Sequence, residues 1–98
     1  MSNPAIAKEQ ILFELFGREE VLDNAGAQLQ RKTQLQKAVH HNRLFYTKAR
    51  IVFETMEGRK EVFANIWEIT DKNVMLKGGI SIPVCCIHEV LPESESFS

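Results

Sequence analysis

Two short stretches hold most of the residues that could do chemistry, "PVCCIHEV" (83–90) and "LQRKTQLQKAVHHNR" (29–43). A nucleophile needs a base within hydrogen-bond reach. In the first stretch, Cys85 or Cys86 with His88 is the only thiol–imidazole combination close in sequence. On a strand, Cys86 and His88 share a face with Cα atoms about 7 Å apart, too far for a direct hydrogen bond without bending. Neighbouring strand residues point to opposite faces, so Cys85 and Cys86 are poorly placed to bond each other. No third cysteine exists to build a disulfide framework. Two small apolar side chains in a reducing compartment is the expectation. Ser81 and Thr70 have no histidine or acid near them in a recognisable motif. His40 and His41 have no cysteine or histidine at a ligand spacing, so no metal site is expected. No glycine-rich phosphate loop or dinucleotide fingerprint is present, and Gly78-Gly79 reads as a turn. The chain is therefore expected to be no enzyme and to need no cofactor.

The second stretch opens a basic block. Arg31, Lys32, Lys37, Arg43, Lys48 and Arg50 fall within residues 25–53 without a single acid, a net charge of +6. The flanking segments carry −3 (1–24) and −4 (54–98), so the chain reads acidic, basic, acidic. These six cations are the candidate contacts to RNA or single-stranded DNA. Each neutralised phosphate releases counterions, so such binding would weaken steeply with salt. Phe45 and Tyr46 could stack on bases. The competing reading is a solvated surface that pairs with Glu14, Glu19, Glu20 and Asp23. The overall pI near 6.3 favours it over a dedicated nucleic-acid binder.

The elements that must position these residues change character midway. Asn3 can cap a first helix, Pro4 fits its first position and Gly17 can end it. "AIAKEQILFELFG" places Ile11, Leu12, Leu15 and Phe16 on one stripe. A loop through Asn24-Ala25-Gly26 follows. Thr33 with Gln36 forms a capping-box pattern, which predicts a short helix over 34–41 with Leu35, Ala38 and Val39 inward. On that helix the cations scatter around the rest of the circumference.

From Leu44 the period becomes alternating. "TKARIVFETM" predicts a first strand with Ile51, Phe53 and Met56 inward and Lys48 and Arg50 outward. "KEVFANIWEIT" predicts one long second strand that is apolar on both faces, with Phe63 and Trp67 in the core and the N-terminal helix as the cover. "VMLK", "ISIPV" and "CCIHEVL" complete five strands, with Gly78-Gly79 as a tight hairpin. Five short strands in about 45 residues suggest a closed or nearly closed barrel.

The segment "ARIVFETMEGRKEVFANIWEITDKNVMLKGGISIPVCCIHEVL" resembles the Sm-like and SH3-like small barrels. A strand ends in Glu57-Gly58. A long second strand leads to Asp71-Lys72-Asn73 and Val74-Met75-Leu76. A hairpin, "ISIP", and then Ile87 and Val90 follow. The resemblance covers residues 48–91 and extends in outline to the bacterial RNA-chaperone branch of the Sm family. Ala64 stands where an early glycine of the second strand is expected, and "PVCCIHEV" replaces the tyrosine-lysine-histidine signature. The RNA-pocket residues of that family are therefore not carried over. The general layout also resembles small bacterial proteins.

Together these readings predict an α+β chain with one or two N-terminal helices before a five-stranded antiparallel SH3-like or Sm-like barrel. One domain is expected over 1–92, helical over 4–42 and barrel over 44–91, with 93–98 as a disordered acidic tail. The expected function is a non-enzymatic interaction or assembly module that is a homo-oligomer or binds a protein partner. The alternative is a nucleic-acid binder. The start of the chain has no basic and apolar leader pattern and no apolar run spans a membrane, so a cytoplasmic protein is expected.

Overall fold

One long helix dominates the computed structural model, which describes residues 3–92; the tail at 93–98 lies outside the described residues. Helix α1 runs from Ala25 to Phe45. Asn24, not Thr33, is its cap: the Asn24 Oδ1 accepts from the Ala27 N–H at 2.7 Å. Thr33 instead donates its hydroxyl to the Leu29 carbonyl one turn back. Alanine, leucine, glutamine, lysine and arginine fill most of the interval from 25 to 45, and all propagate helix well. The short helix expected at 34–41 is therefore the middle of a 21-residue one. It stops where Tyr46 turns left-handed (φ 53°) and gives its N–H to the Asn42 carbonyl.

Six strands follow: β1 (Ala49–Thr55), β2 (Gly58–Ala64), β3 (Ile66–Ile69), β4 (Asn73–Leu76), β5 (Ile80–Pro83) and β6 (Ile87–Pro92). They form two antiparallel three-stranded sheets, ordered β2-β1-β6 and β3-β4-β5. Among the described residues no strand pairing joins the sheets, so the expected five-stranded barrel is corrected to two small sheets. The correction originates at Asn65. The long second strand breaks there, and its halves β2 and β3 pair with different neighbours, β1 and β4. Gly78 and Gly79 make the expected hairpin, both at positive φ (93° and 77°) that side-chain-bearing residues avoid. The two cysteines leave the strand and sit in a 3-10 turn, Val84–Cys86, ahead of β6.

The N-terminal helix is also corrected. Lys8–Phe13 is a single 3-10 segment, and the chain before it is extended. Glu61 of β2 exchanges backbone hydrogen bonds with this arm: its N–H goes to the Pro4 carbonyl and its carbonyl accepts from the Ile6 N–H. Those bonds cover part of a strand edge that would otherwise be open. The 3-10 segment then passes β5, with Lys8 Nζ on the Lys77 carbonyl at 3.2 Å. Farther on, the Leu15 carbonyl accepts from Met56 N–H and the Val21 N–H donates to the Cys85 carbonyl. A strap thus crosses both sheets. Its side chains do not form the expected apolar cover. Ile11 is buried and Phe16 packs on Phe53 (ring centroids 6.0 Å apart), whereas Leu12 and Leu15 are exposed.

The core lies between α1 and the sheets. Leu35, Ala38 and Val39 project inward as expected on a helix that packs against β6 and β3, and share one core with Ile51 and Phe53 of β1. Phe53 is the largest fully buried side chain. With it at the centre, the smaller Val62, Ala64 and Ile66 take the inner face. Phe63 and Trp67, expected inside, stand 54% and 50% exposed, and Met56 is exposed in the β1–β2 turn.

Asn65 holds the break in place. Its Nδ2 lies 2.9 Å from Asn42 Oδ1, 3.3 Å from the Tyr46 carbonyl and 3.2 Å from the Thr47 carbonyl. Its own carbonyl accepts from the Lys77 N–H. Asn65→Ala leaves these buried acceptors without a donor and is expected to cost about 1–3 kcal/mol. Urea denaturation is the measurement: the midpoint should fall with an unchanged slope.

Candidate functional site

The thiols and histidines do not assemble into a catalytic group. Cys86 is buried, its Sγ 3.4 Å from the Gly17 carbonyl and 3.9 Å from Cys85 Sγ. Burial, reinforced by the neighbouring Cys85, pushes the Cys86 thiol up to about 11. That favours an inert thiol over a thiolate. His88 turns elsewhere: its Nε2 meets Glu54 Oε1 at 2.8 Å and its Nδ1 lies 3.5 Å from the Arg59 guanidinium. Among the described residues no group of three or more His, Cys, Asp or Glu side chains is arranged to hold a metal ion.

The six cations of the basic block are used in different ways. Arg31 points inward, with its side chain 6% exposed. It grips Glu20 with both terminal nitrogens (2.7 and 2.6 Å) and donates to the Ile87 carbonyl at 3.0 Å. Its guanidinium joins strap, helix and β6 and is not offered to a phosphate. Arg50 is half-buried in an ion pair with Glu61 across β1 and β2. Lys32, Lys37, Arg43 and Lys48 are exposed. Lys32 and Arg43 are eleven positions apart, three turns of helix, which returns them to the same face within about 20°. Lys37 lies on a different side of α1, so the expected scatter holds for it and for Arg31.

That shared face forms one wall of a groove of about 860 Å³. Lys32, Gln36, His40 and Arg43 line the α1 side; Glu68, Ile69, Thr70 and Asp71, at the end of β3 and into the next turn, line the other. Leu35, Val39 and Val84 also contribute to its lining. The sequence offered no signal for this pairing, because the two walls are some thirty residues apart in the chain.

A second surface surrounds Asn65. Arg50 pairs across the sheet with Phe63, and Trp67 lies two residues beyond Asn65, in the irregular β3–β4 pairing. The Asn65 amide reaches the backbone of Tyr46 and Thr47, so the end of α1 adjoins the same break. Leu44, Phe45, Tyr46, Phe63 and Trp67 are each half or more exposed. Lys77 adds a cation: its ammonium hydrogen-bonds the Tyr46 hydroxyl and sits 4.9 Å from the ring centroid. Large exposed apolar surface of this kind marks interaction sites. Phe45 and Tyr46 were legible as candidates; Phe63 and Trp67 were not, because alternation on an apolar strand does not say which face wins.

Two outcomes check these assignments. The Arg31 guanidinium, by hydrogen-bonding Glu20, holds its carboxyl below the usual carboxylate range. A carboxylate more acidic in the native state than in the unfolded chain stabilises fully above its unfolded pKa, and that contribution is lost as pH falls through the native value. Urea stability followed downward through the carboxylate range should therefore decline, and Glu20→Gln should flatten part of that decline. For Cys86, a thiol reagent at mildly alkaline pH should modify it far more slowly in the native protein than in urea.

Compared with protein-family models, curated proteins and solved structures, the chain gives no match in any of the three.

Proposed function

We propose that this protein is a non-enzymatic interaction module that assembles with itself through the aromatic surface around Asn65. The observation that carries the reading is the exposure of Phe63 and Trp67 on either side of Asn65, whose amide bonds the backbone of Tyr46 and Thr47, together with that of Leu44, Phe45 and Tyr46 at the end of α1. Exposed aromatics have the composition of a protein interface: apolar area at the centre, with exposed Lys77, held at the Tyr46 hydroxyl, on its polar rim. The free thiols suit a reducing cytoplasm, and the buried, protonated Cys86 supports a non-enzymatic role.

A second reading shares the surface. RNA or single-stranded DNA could stack on Phe45, Tyr46, Phe63 or Trp67 while Lys48, Arg43 and Lys77 meet phosphates. The Lys77–Tyr46 contact, which places a cation at the edge of an aromatic platform, is the observation that favours it.

One pair of experiments separates the two. Light scattering on a sizing column at high salt should give a self-associated mass, and Phe63→Ser with Trp67→Ser should reduce it to the monomer at that salt without changing the circular dichroism. A parent that stays monomeric would overturn self-assembly through this surface. Fluorescence anisotropy with labelled single-stranded RNA at low and physiological salt tests the second reading. Binding that weakens with salt and is lost in Lys48→Glu would make it the working function.

A further inference from the structure

We infer that the groove beside α1 is a two-fold interface whose occupant is a second copy of this chain. Lys32 and Arg43 stand on its helix wall, and Glu68 and Asp71 on the opposite wall. All four are exposed. Among the described residues none of the four has a side-chain hydrogen bond or ion pair, so the groove keeps two positive and two negative groups apart. Leu35, Val39 and Val84 give the groove apolar surface as well.

This charge layout selects the partner. A polyanion such as nucleic acid would match the helix wall and be repelled by Glu68 and Asp71. A strongly basic partner would meet the reverse problem. A groove this open would leave a small zwitterion largely in water, whereas small-ligand sites enclose most of their ligand. A second copy satisfies both walls at once. In a two-fold contact, residue i meets residue j and j meets i. An axis running along the groove lays the helix wall of one protomer over the acidic wall of the other, twice. Lys32 and Arg43 then face the partner's Glu68 and the partner's Asp71, and the apolar lining is covered in the same step. None of the five exposed apolar residues of the Asn65 surface lines this groove, so the inference stands apart from the proposed function.

The test is a charge swap read by native mass spectrometry and analytical ultracentrifugation. It is made in the Phe63→Ser/Trp67→Ser background, so that association through the aromatic surface does not contribute. One variant carries Lys32→Glu and Arg43→Glu; the other carries Glu68→Lys and Asp71→Lys. All four sites are exposed, and circular dichroism checks that each variant folds. The background protein should form a dimer that weakens with salt. Each charge variant should raise the dimer Kd by about tenfold or more, because attractive pairs become repulsive ones. Mixing the two variants should restore a one-to-one heterodimer, since every contact is then again between opposite charges. The inference is overturned if the background protein stays monomeric, if either variant dimerises as the background does, or if the mixture remains monomeric. The proposed function fails on different evidence: Phe63→Ser/Trp67→Ser would then leave the high-salt association of the parent unchanged.

Discussion

A single buried amide, that of Asn65, holds this fold in its bent form. An uninterrupted strand from 58 to 69 would have kept all its partners in one sheet. Asn65 interrupts the ladder, and the cost of burying its polar group is offset by partners from three places: Asn42 on α1, the backbone just past that helix, and the Lys77 N–H before the hairpin. Each partner ties a different element to the break. The helix end is anchored to the junction of the sheets, and the two sheets enclose a core that neither could bury alone. The aromatic surface follows from the same constraint, because Phe63 and Trp67 flank the residue at which the strand turns.

Arg31 does at the other end of the molecule what Asn65 does at the break. It is a cation taken out of water, and both its carboxylate partner and its carbonyl partner are far from it in sequence. Such a group makes a poor phosphate ligand, since breaking its contacts would leave a buried charge uncompensated. The basic block is therefore not one functional unit. Part of it is architecture (Arg31 and Arg50), part lines a groove (Lys32 and Arg43), and Lys37 and Lys48 lie on other parts of the surface.

Sequence periodicity made the centre of the molecule legible. Ile51 and Phe53 on β1, and Leu35, Ala38 and Val39 on α1, are inward because their spacing matches the element that holds them. Turn chemistry was legible as well: Gly58, Gly78 and Gly79 all fall at turns and all take positive φ. What could not be read were competitions settled by long-range partners. Asn3-Pro4 offered a good helix start, yet the arm gained more from hydrogen bonds to an open edge of β2. Thr33 offered a cap, yet Asn24 captured the helix two turns earlier. Val62 and Phe63 offered two apolar faces, and the buried one is that of Val62, which lies opposite Ile51, while Phe63 lies opposite Arg50. Opposite charges across the groove belong to segments that meet only in the folded chain, so no local pattern could announce them.

The strap of residues 4–21 carries a consequence for how the chain comes into being. Its docking points are Glu61, Met56, Cys85 and, through Glu20 and Arg31, the Ile87 carbonyl. During synthesis the strap precedes β2 and β6, the elements it docks on. For most of that interval Ile6, Ile11 and Phe16 have no core to dock on. Folding is thus postponed until the strap can meet β6, a high-contact-order closure that proceeds slowly. Until β6 is made, the side of the strap that carries Ile11 and Phe16 stays open to water.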